Sequence, residues 1–403
     1  MKGFTAALKL SLGIGALMLL LTGCWNANDV DNVDYVNAIG INYLKDKKEY
    51  EVYLQLLSFQ NVAKTEGSGV NTQPVPVWLA AGRGRTYAEA IGKITIEAEK
   101  RLFWGHVTAL LLGEGVLDKG EITDVLQSLF RFYELRYTMW VYGTNDPIDK
   151  LLEAAPNFER SRLNMIIHTP KDNYRQRSYI KPIRLHDFIA NYYEPAKTLL
   201  LPALTMDEKI WRRNEEPIPS VHYKGVYAFW NRENRGLIPL EKAFGLRWLD
   251  RSAKRAPVLI ENGEILANLR MENPRHVIHI RELNRRPVFD IEVVVKGVIS
   301  ELREQVQLSD LARQVQQKIE KEVRDTFAAG LKQKADLLGL SDQLYLRGAK
   351  RYRQFETDSS HFVLTPESLG KVTVHAHITT AGKYTYKVYR NQHVNEGKGG
   401  RLP

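Results

Sequence analysis

Two histidines one residue apart, His375-Ala-His377, form the most metal-like spacing in the chain. On a strand both imidazoles project from one face, which supplies two ligands of a zinc site, and no evident third ligand accompanies them. The pair therefore reads as exposed strand histidines. Ser368-Leu-Gly-Lys371 has the Ser-x-x-Lys spacing of penicillin-interacting enzymes, but it lies in a loop entering a strand rather than at a helix start, and its partner motifs are missing. Gly82-Arg-Gly84-Arg85 ahead of a helix offers backbone N–H groups to an anion, yet it lacks the third glycine of a dinucleotide fingerprint and the Lys-Ser/Thr of a P-loop. No Gly-x-Ser-x-Gly elbow occurs, and the single thiol is Cys24. These patterns assign no catalytic residue, no cofactor and no metal.

The chemistry that does stand out is at Cys24. Lys2 and Lys9 form a positive n-region, Leu10 to Leu21 an apolar h-region, and Leu21-Thr22-Gly23-Cys24 closes it. That run is about twelve residues, whereas a spanning helix needs about 20, so it reads as a removable export signal. Its ending resembles the lipobox of bacterial lipoproteins, in which the cysteine sulfur receives diacylglycerol and cleavage leaves that cysteine first. Each buried CH₂ contributes about 0.8 kcal/mol, one acyl chain holds only marginally, and two or more hold firmly. A polar segment, Asn26 to Asp34, follows at once, which argues against a buried structural thiol and for a tether. Trp25 suits the headgroup region.

With 403 residues, 44% hydrophobic and 26% charged, the chain has an ordinary globular composition and enough length for two or three cores. No further cysteine follows Cys24, so no disulfide can brace the body. Removing Lys2 and Lys9 lowers the formal charge from +10 by two, to +8, and this modest excess carries no long basic block. Such a balance favours an anionic lipid surface; nucleic acid is disfavoured because no binding motif for it is visible.

The elements that must position these residues read as follows. Val36 to Tyr43 and Tyr50 to Gln60 form a hairpin across Lys45-Asp46-Lys47-Lys48-Glu49, and Val75 to Ala80 is a third strand. Thr86-Tyr-Ala-Glu89 fits a capping box and opens a helix through Lys100. His106 to Gly113 and Tyr137 to Gly143 are strands, Glu121 to Tyr133 a helix, and Asp146-Pro147 opens another. Prolines 195, 202, 217 and 219 point to a domain border near residue 205. Lys224 to Trp230 and Arg235 to Ile238 make a second hairpin, followed by a short helix from Leu240 to Leu249. Strands at Val258 to Leu269, Val277 to Ile280 and Phe289 to Ser300 lead to a long helix from Ser309. A pair, Val372 to Thr379 and Tyr384 to Val388, closes the chain.

On the long helix, Leu311, Val315, Ile319, Val323, Phe327 and Leu331 recur every four residues, so the stripe advances about 40° per step. The winding implies either a diagonal crossing of a twisted sheet or a stop or kink near Gly330. The domain plan is a signal peptide over 1–23, a lipidated tether over 24–34, an α/β domain over 35–205, a small middle domain over 206–270, an α+β domain over 271–390 and a tail over 391–403.

Leu-Thr-Gly-Cys-Trp with Ala38-Ile-Gly-Ile-Asn42, Lys100-Arg-Leu-Phe-Trp-Gly-His106, Arg131-Phe-Tyr-Glu-Leu-Arg136, Tyr223-Lys-Gly-Val-Tyr-Ala-Phe229 and the long helix ending near Asp336-Leu-Leu-Gly339 occur in this order. Together they resemble the Ger(x)C family, the lipoprotein C subunits of bacterial spore germinant receptors. The resemblance implies a three-domain α+β lipoprotein with a long helix packed on a C-terminal sheet. It implies a non-catalytic subunit on the outer face of the spore inner membrane, acting with the integral membrane A and B subunits, with S-diacylglycerol and an N-acyl group on Cys24. Arg101, Phe103, Trp104 and His106 lie in its most recognisable segment. They read either as a docking surface for a membrane partner or, for Phe103 and Trp104, as core with His106 a satisfied polar residue. The competing function is a cell-wall lipoprotein enzyme such as a peptidoglycan hydrolase, whose carboxylate pair no sequence motif would reveal.

Overall fold

Val33–Leu44 (β1) is rich in β-branched and small residues, and Val36 through Ile41 are buried on both faces, which marks a central strand. The computed structural model describes residues 33–57, 77–118, 121–131, 134–156, 161–262, 264–303, 306–356 and 360–380. Cys24, the tether up to residue 32 and the expected strand Tyr384 to Val388 lie outside them, while the last two tether residues, Val33 and Asp34, already belong to β1. Glu49–Leu57 (β2) pairs antiparallel with β1, with Tyr43 opposite Tyr50 and Lys48 at the turn with φ 55°. Trp78–Gly84 (β3) extends the meander on the far side of β2. Tyr87–Glu97 (α1) then packs on β3.

The Thr86 hydroxyl accepts from Glu89 N–H at 3.1 Å, and the Glu89 carboxylate accepts from Arg85 N–H at 2.9 Å. The expected reciprocal cap is present, with its second bond one residue earlier. The helix ends at Glu97 rather than Lys100, because Arg101–Phe103 (β4) pairs parallel with the start of β1.

On the other side of β1, Ala109–Gly113 (β5) runs parallel to it, and Glu114–Leu117 (α2) and Glu121–Phe130 (α3) cross over to Trp140–Thr144 (β6). Every residue of β5 and β6 is buried, as helix-covered parallel strands require. Ile148–Glu153 (α4), Pro170–Gln176 (α5), Ile183–Arg184 (β7) and Leu185–Tyr193 (α6) precede Leu199–Asp207 (β8), which pairs parallel with β6. After a two-strand excursion, Arg212–Arg213 (β9) and Glu216–Pro217 (β10), the hairpin Ser220–Trp230 (β11) and Glu233–Pro239 (β12) adds to β8. The sheet order is β12-β11-β8-β6-β5-β1-β2-β3, with β4 and β7 as short partners.

The border expected near residue 205 thus falls inside β8, which lies between β6 and β11 within one sheet. The prolines behind that expectation flank or interrupt local strands: Pro217 belongs to β10, and Pro202 sits within β8 opposite Val226. The segment 206–270 is shared between sheets. Its hairpin completes the large one, while the strand expected from Val258 to Leu269 is two, Arg255–Asn262 (β13) and Glu264–Leu283 (β14), belonging to a second sheet. Leu246–Leu249 (α7) lies just before it.

That second sheet, ordered β13-β14-β15-β16, adds Arg286–Leu302 (β15) and Leu369–Thr380 (β16). Leu308–Lys332 (α8) packs on it with Leu311, Val315, Ile319, Val323 and Phe327 buried. Contacts with both β16 and β13, the two edge strands, make the diagonal crossing the cause of the winding stripe. The helix also stops close to Gly330, ending at Lys332, with Gln333 N–H donating to Gly330 O and Leu331 O, so both expectations hold. Leu340–Arg347 (α9) and Ala349–Arg353 (α10) complete the domain. The architecture is mixed α+β, with apolar cores on both faces of the large sheet and a third between α8 and the small sheet.

Candidate docking surface

β4 pairs Arg101 with Val33 and Phe103 with Tyr35, so the segment 101–106 sits at the end of the large sheet where the chain arriving from Cys24 enters. The rings of Tyr35, Phe103 and His106 gather there with centroids 5.3 to 5.6 Å apart. Arg101 Nη2 donates to Glu134 Oε1 at 2.5 Å, from the segment after α3. Glu134 is flanked by the edge-to-face pair Phe130 and Tyr137, at 5.9 Å, and both rings are exposed.

Trp104 departs from this group. It is 7% exposed and packs in the core under α1 and α3, so of the two readings its own is core. The physical reason is the short turn after β4: Val107 N–H donates to Trp104 O, which turns the indole inward while Phe103 stays half-buried and His106 exposed. Of the candidate docking residues, Arg101, Phe103 and His106 stay together outside the core, joined by Tyr35 and Glu134. Tyr35 carried no separate signal beyond its place at the first residue after the polar tether. Glu134 lay within a quoted segment, but its pairing with Arg101 is a contact across 33 residues.

The other chemical candidates prove structural. Gly82 and Gly84 lie in β3, where α1 approaches so closely that an added Cβ would stand 2.3 Å from Ala90 O or 2.6 Å from Ala90 N. They serve helix–strand contact and form no anion cradle. Ser368 is buried at the end of a 3₁₀ turn, where its hydroxyl accepts from Thr365 N–H at 3.0 Å, and Lys371 follows on β16. His375 and His377 are exposed on β16, with His375 Nε2 3.2 Å from Glu292 Oε1. Among the described residues no three metal-ligating side chains converge.

Two groups are perturbed by burial away from this surface. His168 touches Thr108 Oγ1 through Nδ1 at 2.6 Å, and burial pushes its imidazole down to about 4, helped by Arg162. Asp336 is pushed up to about 6 by burial, against the N–H groups of Ser341, Leu340 and Gly339 that favour its charge. The Thr108 hydroxyl that His168 meets donates to Asn37 O at 3.1 Å, and Asp336 is held by backbone N–H groups, so both read as structural groups.

A family model described as the spore germination protein N-terminal domain matches residues 26–206, and one described as spore germination B3/GerAC like, C-terminal, matches residues 224–382. The chain belongs to the Ger(x)C family. Spore germination protein KC of Bacillus subtilis (strain 168) is 22% identical over 368 residues, covering 85% of this chain and 89% of that protein. Spore germination protein B3 of the same organism is 20% identical, covering 71% and 72%. The crystal structure of the GerBC protein superposes with a TM-score of 0.52 at 14% identity, over 85% of this chain and 97% of that one, which shows a shared fold. Ger(x)C proteins are germinant receptor C subunits, so the chain's role lies in spore germination. In this Ger(x)C protein the segments 100–106 and 131–136 meet through the Arg101–Glu134 bond. Among the described residues no helix is long and apolar enough to cross a membrane.

Proposed function

We propose that this protein is the non-catalytic, lipid-anchored subunit of a nutrient germinant receptor, held through Cys24 on the outer face of the spore inner membrane and assembled with the integral membrane A and B subunits. The observation that carries this reading is the placement of the Arg101, Phe103 and His106 surface beside Val33. Eight residues lie between Cys24 and Val33, a reach of at most about 32 Å, so the surface stays near the bilayer where integral partners present their loops. Aromatic rings and an arginine are the side chains that anchor interfaces. The Ser and Gly motifs with catalytic or anion-binding spacing take structural places instead, which supports a scaffold. The lipid supplies the membrane affinity, since diacylglycerol brings two acyl chains and an N-acyl group a third.

The test is purification of the tagged protein from spore membranes, beside an Arg101→Glu/Phe103→Ala variant whose melting temperature is checked. The wild type should bring down two multi-pass subunits and carry a diacylglyceryl adduct on an N-terminal Cys24; the variant should keep the adduct and lose both subunits. Co-purification undiminished in the variant refutes the docking surface, and an unmodified thiol at residue 24 refutes the anchor.

A further inference from the structure

The parallel strands of the large sheet all start at one edge. β5 runs parallel to β1, β6 to β5 and β8 to β6, and two antiparallel steps through β2 set β3 in the direction of β1. Val33, where the chain arrives from Cys24, marks that edge. Large apolar side chains left exposed on this sheet and its helices gather there. Trp78 begins β3, across Leu56 from Val36, and is 65% exposed. α1 returns along β3, with Glu89 against Gly84 and Ile94 against Gly82, so Ile96, 84% exposed, lies towards the end where Trp78 starts and just ahead of β4. The exposed pair Phe130 and Tyr137 stands where α3 passes into β6. Tyr193, also exposed, ends α6 beside Tyr192, whose hydroxyl donates to Arg232 O in the β11–β12 turn, at the edge where β8 begins.

Single exposed apolar residues are ordinary on a protein surface, but these come from separate elements and share one edge. Among the described residues from Val33 to Pro239, the other exposed large apolar side chains are Ile210 and Trp211, on the excursion that follows the end of β8 at the opposite edge. The tether decides which edge a membrane meets. Eight residues between Cys24 and Val33 reach at most about 32 Å. β1, with its 12 residues, spans about 36 Å, so a bilayer against the far edge would leave Val33 beyond that reach. The near edge requires no such stretch. Trp and Tyr suit the boundary it would meet, since each has an apolar body and a polar tip, and their rings concentrate at the level of lipid headgroups.

We propose that this edge rests on the lipid bilayer, with Trp78 and Ile96 inserted into the leaflet that holds Cys24, so that the body keeps a fixed orientation instead of swinging on its tether. The proposal rests on the Cys24 anchor of the proposed function and not on the Arg101, Phe103 and His106 residues. Insertion strength scales with the apolar area buried in the headgroup boundary, which Trp78 and Ile96 supply because neither is covered by the fold.

The experiment reconstitutes the full lipoprotein in vesicles of phosphatidylethanolamine and phosphatidylglycerol, with mass spectrometry of the Cys24 adduct on each sample. The chain has a single cysteine and the adduct occupies it, so Trp78→Cys, Ile96→Cys and Ile210→Cys each offer one thiol for a nitrobenzoxadiazole label. Doxyl-labelled lipid should quench the labels at 78 and 96 at least about twofold more than the label at 210, and iodide should quench them less. In the chain labelled at 96, Trp78→Glu should lower the lipid quenching at least about twofold while the melting temperature stays within a few degrees, because residue 78 is exposed. With the adduct present, lipid quenching at 78 or 96 no greater than at 210 overturns the proposal and leaves the anchor standing. Shielding from iodide without lipid quenching would put a second copy of the chain on this edge and overturns it equally. Absence of the adduct refutes the anchor and this proposal with it.

Discussion

Arg247 and Glu322 form a buried ion pair between α7 and α8, with side chains 3% and 8% exposed, and the Trp248 indole N–H donates to the same carboxylate at 2.7 Å. Replacing Arg247 by Met leaves a buried carboxylate with one neutral donor, and replacing Glu322 by Leu leaves a guanidinium whose only company is three aromatic rings. Removing one partner of such a pair costs about 3 to 5 kcal/mol. The double replacement removes both charges and leaves mainly the unpaired indole N–H, about 1 to 3 kcal/mol. The double variant should therefore lose less than either single one, with a coupling energy of at least about 3 kcal/mol. Urea unfolding of all four proteins, followed by tryptophan fluorescence and checked for constant m, measures it. Additive single effects, with the double variant losing their sum to within about 0.5 kcal/mol, would refute the claim that burial rather than packing sets the cost.

Gly82→Ala places a Cβ against the Ala90 carbonyl and Ile94, so the α1–β3 contact must part, at a cost of about 1 to 3 kcal/mol. Gly92→Ala, on the same helix with open space around it, should stabilise by up to about 1 kcal/mol, and paired unfolding curves read the contrast. His168 and Asp336 should pull stability in opposite directions with pH. His168, lowered from 6.5 to about 4, binds fewer protons folded than unfolded, so acidification between those values destabilises by up to about 3 kcal/mol. Asp336, raised from 3.8 to about 6, binds more protons folded, so acidification from about 6 to 4 stabilises by a similar amount. In His168→Gln stability should rise as pH falls from 6 to 4, and in Asp336→Asn it should fall; unfolding curves across that range would expose the same slope in both if the assignment fails.

Much of the local structure was legible because it is written in short-range chemistry. Lys45 to Glu49 marked the β1–β2 turn, Thr86 and Glu89 the start of α1, and the four-residue spacing from Leu311 to Phe327 the buried face of α8. The segment order that marks the Ger(x)C family was equally readable, since it depends only on residue identity. The placement of the candidate docking segment was half legible. That Arg101, Phe103, Trp104 and His106 belong together could be read from their succession, but which ring faces inward could not, because β4 is three residues long and the turn after it decides the direction.

What a strand pairs with is decided over long separations, and no single-sequence pattern carries it. The strand β8 looks like a border because Pro202 and Pro217 frame its neighbourhood, yet its partners are β6, parallel, and β11, antiparallel. Gly82 looks like a loop glycine until α1 lies against it, and Asp336 like a surface acid until the α8–α9 loop is pressed between the two sheets. The sequence by itself determined the β1–β2 hairpin, the start of α1, the buried face of α8 and the family, because periodicity and capping act within a few residues. Tertiary structure alone decided the sheet order, the inward turn of Trp104 and the burial of Asp336, because each depends on groups brought together from segments tens of residues apart.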